Sequence, residues 1–125
     1  MTAPRLILFL AAAEIGLVGL IYLFAPMVML GANGMTIETV SEYHSTRAAY
    51  GGAFVGFGLL FLLGALKAGL RRPALVALGT FMAGFAGGRI YSLIVDGMPA
   101  PAFLGALATE VLLAGAALWA LRRGA

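Results

Sequence analysis

Residues 5–25 read RLILFLAAAEIGLVGLIYLFA, with an arginine at the start, one glutamate near the middle and an otherwise unbroken apolar run. That length matches the ~20 residues an α-helix needs to cross a hydrocarbon core. Three more stretches repeat the pattern: Arg47 to Leu66, Pro73 to Val95 and Pro101 to Leu121. Turn formers separate them, namely Pro26 followed by Gly31-Ala32-Asn33-Gly34, then Lys67 to Pro73, then Asp96-Gly97-Met98-Pro99. The composition agrees, since 62% of the 125 residues are hydrophobic and 10% charged, outside the range of ordinary soluble domains. The chain reads as one all-α domain over residues 1–125: an integral membrane four-transmembrane-helix bundle with helices at about 5–25, 47–66, 73–95 and 101–121.

Lysine and arginine set the expected orientation, because cytoplasmic flanks carry the positive excess. Arg5, Lys67, Arg71, Arg72, Arg122 and Arg123 mark one side, whereas Glu38, Glu42 and Asp96 fall in the other two connections. Both termini are therefore expected in the cytoplasm (N-in/C-in), with the acidic loops outside. Trp119, Tyr22 and Phe24 suit the two interfaces. Arg5 before Ala11-Ala12-Ala13 imitates a cleavable signal peptide, but the apolar core ahead of that site is only Leu6 to Leu10, so the segment is expected to stay as a span. The net charge of +3 forms no basic stripe, which argues against nucleic acid, and the absence of cysteine removes disulfides, thiolate metal sites and a cysteine nucleophile.

Charges within the spans are the informative residues, because each costs ~2.5–3.5 kcal/mol at a helix centre on insertion scales. Glu14 lies midway along the first span and Glu110 about ten residues into the fourth, at similar depth. Arg89 sits about 10 Å inside the outer end of the third span, and Arg47 opens the second. Opposite charges at matched depth predict that Arg89 pairs with Glu110 or Glu14 inside the bundle. Tyr50 follows Arg47 by a turn, and Ser92 and Asp96 share a face with Arg89, so Glu14, Arg47, Tyr50, Arg89, Ser92, Asp96 and Glu110 are the candidate ligand-binding residues of an outward-facing vestibule. The same pairs could instead only fix helix register.

Small residues four apart, Gly52 with Gly56, Gly84 with Gly88 and Gly105 with Thr109, are expected to form close helix contacts or a self-association surface. Thr36 to Thr46, with Ile37, Val40 and His44 at helical spacing, reads as an amphipathic cap feeding the second span, or as a lid over the vestibule.

Two resemblances bear on the site. Ala13-Glu14-Ile15-Gly16 resembles the proton-coupled carboxylate of small multidrug resistance transporters, but the arginines of the second and third spans would repel a cationic drug. Over nearly its whole length the chain resembles the uncharacterised bacterial four-helix membrane proteins of domain-of-unknown-function family 4345, similar in outline to DoxX-like proteins. The likeness rests on Arg47-Ala48-Ala49-Tyr50-Gly51-Gly52, on Gly88-Arg89 with Ser92 and Asp96-Gly97-Met98-Pro99, and on Glu110. It implies a multi-pass protein of the bacterial inner (plasma) membrane and carries no reaction.

The expected function is that of a non-enzymatic binder of a small polar or amphipathic ligand or lipid at the vestibule, in contact with membrane lipid and without a cofactor or metal. An accessory subunit of a larger membrane complex is the alternative, and a homo-oligomer is compatible with either. An isomerase using Glu14 and Glu110 as acid and base is weaker, because no nucleophile motif, cofactor fingerprint or metal cluster accompanies them and His44 stands alone in a loop.

Overall fold

The computed structural model describes residues 1–124, all of them in helices or their connections. Helix α1 (Ala3–Phe24) ends where Pro26 can supply no N–H to the Tyr22 carbonyl. Pro26 then opens a seven-residue helix, α2 (Pro26–Ala32), where only a turn was expected; proline suits a first helical position because that N–H is orphaned in any case. Asn33 closes α2 by donating from Nδ2 to the Met29 carbonyl at 2.8 Å, and Gly34 turns the chain at φ +71°.

The second span starts earlier than Arg47. Helix α3 (Val40–Thr46) continues through a π-wound segment (Arg47–Gly52) into α4 (Ala53–Leu66), giving one rod from Val40 to Leu66. Its start is a reciprocal capping box: the Glu42 amide donates to Thr39 Oγ1 at 3.2 Å, while Glu42 Oε2 accepts from the Thr39 and Glu38 amides at 2.8 and 2.7 Å. The third helix also starts early. The expected break over Lys67 to Pro73 shrinks to Lys67, and α5 runs from Ala68 to Val95 with Pro73 inside it. Pro73 deprives only the Gly69 carbonyl of a donor, and Gly69 is exposed. Helix α6 (Pro101–Arg122) completes the bundle.

Four rods, Ala3–Phe24, Val40–Leu66, Ala68–Val95 and Pro101–Arg122, are long and apolar enough to cross a membrane. Helix α1 packs most extensively on α4, and α5 on α6, whereas α1 and α6 meet sparsely. Leu8, Ala11, Phe61, Ala65, Leu75, Leu78, Ala117 and Ala120 fill the core and cluster near the end that carries Arg5 and Lys67.

Glycine governs the α1–α4 seam, but not at the expected pairs. A methyl on Gly58 would lie 2.9 Å from Gly16 Cα, one on Gly19 2.7 Å from the Val55 nitrogen, and one on Gly51 2.9 Å from Leu23 Cα. Gly56, Gly84, Gly88 and Gly105 would meet nothing within 4 Å, and Gly52 only its own Arg47 carbonyl. Spacing of four marks a helix face but does not say which face meets a neighbour.

Backbone opposes backbone at Gly58, so Gly58→Ala is expected to destabilise the protein by about 1–3 kcal/mol through overpacking. Gly84→Ala is expected to be neutral or slightly stabilising; unfolding of both variants in mixed micelles measures the contrast. Thr39→Ala removes the acceptor for the Glu42 amide and opens the capping box, so amide hydrogen exchange at Val40–Thr46 is expected to rise at neutral pH.

Candidate functional site

The half of the bundle away from the packed core encloses a cavity of about 190 Å³. Glu14, Val18 and Tyr22 of α1 line it, together with Met29 of α2 and its capping residue Asn33, Tyr50 and Phe54, Met82, Phe85 and Arg89 of α5, and Ala106, Thr109 and Glu110 of α6. Helix α2, which sequence reading missed, supplies part of one wall.

Arg89 is the centre of the charge arrangement. Its Nε donates to both carboxylate oxygens of Glu110, at 2.8 and 2.9 Å. Of the two partners expected for Arg89, the structure brings it to Glu110. Glu110 is 7% exposed and the Arg89 side chain 28%, so the acid is enclosed and the guanidinium bridges from it to open space. The guanidinium carbon lies 5.4 Å from the centre of the Phe103 ring. Because one nitrogen satisfies both Glu110 oxygens, the two terminal amino groups of Arg89 keep donors uncommitted to protein acceptors among the described residues. Arg89 also lines a smaller cavity of about 70 Å³ with Ser92 and Phe103, and a shallow groove along Thr80, Gly84 and Gly88.

Glu14 lines the same cavity from α1, has no salt bridge or side-chain hydrogen bond among the described residues, and remains exposed in the protein alone. The two glutamates are therefore not equivalent: Glu110 is neutralised by Arg89, and Glu14 is uncompensated.

The other expected members of the site stand apart from this centre. Arg47 turns back to the end of α1, where its Nη1 donates to the Leu23 carbonyl, and its guanidinium lies 5.5 Å from the Tyr43 ring centre. A cation at a helix C-terminus satisfies an orphan carbonyl and the helix dipole together. Arg5 does the same at the opposite end of the seam, donating from Nε to the Ala65 carbonyl of α4 at 3.2 Å. Ser92 donates to Asp96 Oδ2 at 2.7 Å on the exposed end of α5, and Asp96 does not line the cavity. Thus Glu14, Tyr50, Arg89 and Glu110 share one cavity, Ser92 borders the adjoining one, and Arg47 and Asp96 serve chain ends.

Sequence reading also missed an aromatic column. Tyr22 and Tyr50 lie 5.3 Å apart between ring centres; the series continues from Tyr50 to Phe54 at 5.8 Å, Phe54 to Phe85 at 5.6 Å, Phe85 to Phe81 at 4.9 Å and Phe81 to the stacked Phe57 at 4.3 Å. The signal was present: Tyr50, Phe54, Phe57 and Phe61 recur at intervals of four, three and four, and Phe81 and Phe85 at four. The π-wound turn carries Tyr50 while its Arg47 reaches α1; such turns commonly occur at functional sites.

A family model described as a domain of unknown function, DUF4345, matches residues 3–121, and the chain belongs to that family. No curated protein and no solved structure matches it.

Removing Arg89 alone strands a buried carboxylate, so Arg89→Leu is expected to cost about 3 kcal/mol of stability. The double variant Arg89→Leu/Glu110→Leu is expected to be more stable than Arg89→Leu, because no buried charge is left unmatched. Reversible unfolding in mixed micelles gives both values, and additive losses would show that the pair is not coupled.

Proposed function

We propose that this DUF4345 protein crosses the bacterial plasma membrane four times with both termini in the cytoplasm, and that its cavity opens outward as a vestibule that binds a small amphipathic molecule through an anionic group. Exposed apolar side chains support the membrane reading, since only 17–33% of each apolar window is buried within the protein, leaving residues such as Leu10, Leu17, Leu59, Leu112 and Ile94 outward. In lipid such a surface is solvated, whereas in water it would be a large exposed patch. The basic end of the bundle supports the orientation.

The observation that carries the binding reading is Arg89, fixed by one nitrogen on Glu110 and bordering the cavity with its remaining donors uncommitted. A guanidinium edge of that kind recognises a carboxylate or phosphate in two-point fashion. The volume of about 190 Å³ is below the ~300 Å³ where drug-sized pockets begin, so the site suits a headgroup or a small molecule. Sparse contact between α1 and α6 leaves an exit for an acyl chain toward lipid. Glu14 on the other wall favours a ligand that also carries an ammonium group, so that charges alternate from Glu110 through Arg89 and the ligand to Glu14.

An accessory-subunit role is the second reading. It is favoured by the open small-residue faces at Gly84, Gly88 and Gly105, which pack against nothing in this chain and are the kind of surface that helices of another subunit approach closely.

Lysophosphatidylethanolamine carries both charges and one chain, and is the probe. Added to protein in dodecyl maltoside, it is expected to raise the unfolding midpoint by several degrees. The rise should be lost in Arg89→Leu/Glu110→Leu and kept in Arg47→Ala, each measured against its own baseline. An undiminished rise in the double leucine variant would overturn the binding reading.

A further inference from the structure

The packed end of the bundle holds Arg5, Lys67, Arg71, Arg72, Arg122 and Arg123 and no acidic side chain. Charge bias across a membrane requires cations at this end, but it does not require them to converge. Three of them do. Arg71 and Arg72 from the start of α5 and Arg123 from the end of α6 border one pocket of about 440 Å³, whose wall also includes Thr2, Ala68 and Trp119.

The surroundings of this pocket favour a negative occupant. Two helix N-termini meet there, α1 and α5, and neither has an acidic residue in its first turn nor a side-chain cap on its free amides. Helix N-termini carry partial positive charge and favour anions, yet this sequence places Arg71 and Arg72 in the opening turns of α5. The Nε of Arg71 is enclosed and meets no hydrogen-bond acceptor among the described residues. The Arg123 guanidinium lies 5.2 Å from the centre of the Trp119 ring, which holds it over an aromatic of the kind found at headgroup level. Cations and helix N-termini thus converge on one pocket and favour an anion with several acceptor oxygens there.

We infer that this pocket is a phosphate-recognition site, filled by the headgroup of an anionic phospholipid. Arg71, Arg72 and Arg123 supply the donors, and Trp119 lies against the glycerol level of the lipid. The lipid source rests on the membrane reading above, whereas recognition of phosphate does not. The site is separate from the Arg89 cavity, which lies in the other half of the bundle.

Native mass spectrometry of protein released from dodecyl maltoside, after equilibration with phosphatidylglycerol or phosphatidylcholine of identical chains, tests it. Retention of phosphatidylglycerol is expected to exceed that of phosphatidylcholine by about tenfold or more, and Arg71→Gln/Arg123→Gln should bring the ratio near one. Lys67→Gln/Arg122→Gln removes the same charge from the same end outside the pocket, and should leave the ratio within about twofold. If the glutamine pair at Arg71 and Arg123 loses its helical circular dichroism, Arg71→Lys/Arg123→Lys is read instead; it keeps the charge but not the planar fork, and should lower the ratio by about threefold. Inorganic phosphate at constant ionic strength forms the second arm. Stabilisation of the parent but not of the Arg71/Arg123 variant, without lipid preference, assigns the site to a soluble phosphate compound. Equal loss in the two glutamine pairs, or no response to either probe, overturns the site and leaves only a diffuse positive surface. The Arg89-dependent response to lysophosphatidylethanolamine is scored independently, so either reading can fail alone.

Discussion

The close approach of α1 and α4 is the constraint on which the other contacts depend. Where Gly58 faces Gly16, and Gly19 faces Phe54 and Val55, there is no room for a methyl group. Two backbones this near gain dispersion contacts along the whole length of the seam. Their spacing in turn brings each helix end within reach of an arginine on the other: Arg5 reaches the Ala65 carbonyl at one end and Arg47 the Leu23 carbonyl at the other. In an apolar setting an orphan helix carbonyl costs several kcal/mol, so these two arginines complete the backbone hydrogen bonding that water would supply to a soluble helix.

From that seam the molecule divides into two unlike halves. Toward Arg5 and Lys67 the four rods close on Leu8, Phe61, Leu75, Leu78 and two alanines of α6, Ala117 and Ala120. Toward Asp96 they part around the cavity, and α2 and the π-wound turn fill the space irregularly. A π turn inserts a residue without breaking the rod, so Arg47 can serve α1 while Tyr50 borders the cavity. The aromatic column from Tyr22 to Phe57 then joins the two halves, running from α1 through the π-wound turn and α4 to Phe81 and Phe85 of α5.

The four rods were legible because hydropathy over ~20 residues depends on composition alone. The starts of the second and third were not, since Thr39 with Glu42 can nucleate a helix ahead of the apolar run, and Pro73 is tolerated where the abandoned carbonyl of Gly69 is exposed. The Arg89–Glu110 pair could be narrowed from matched depth to two candidate acids, but choosing between them required helix adjacency, which sequence does not carry: α5 packs closely on α6 and only sparsely on α1. Arg47 follows a related limit. Its place at the outer start of the second span suggested the vestibule, whereas the partner it meets is the unpaired end of α1, visible only once Pro26 is seen to stop that helix. For the glycines, a spacing of four identifies a stripe and leaves its rotation about the helix axis open, so it does not tell a contact within the chain from a self-association surface.

The division between Glu110 and Glu14 is the sharper lesson of the charge pattern. Equal depth would make two carboxylates equally expensive, and the bundle relieves one of them. Arg89 spends its Nε on Glu110, whereas Glu14, reaching the cavity from α1, meets no cation among the described residues. Purely structural charges tend to be paired to completion, since an unpaired one only adds cost. A cavity that holds one satisfied ion pair, a guanidinium with donors to spare and one unsatisfied carboxylate is incomplete by both signs at once. That double incompleteness is what a ligand with an anionic and a cationic group would resolve, and a register-fixing ion pair needs neither half of it.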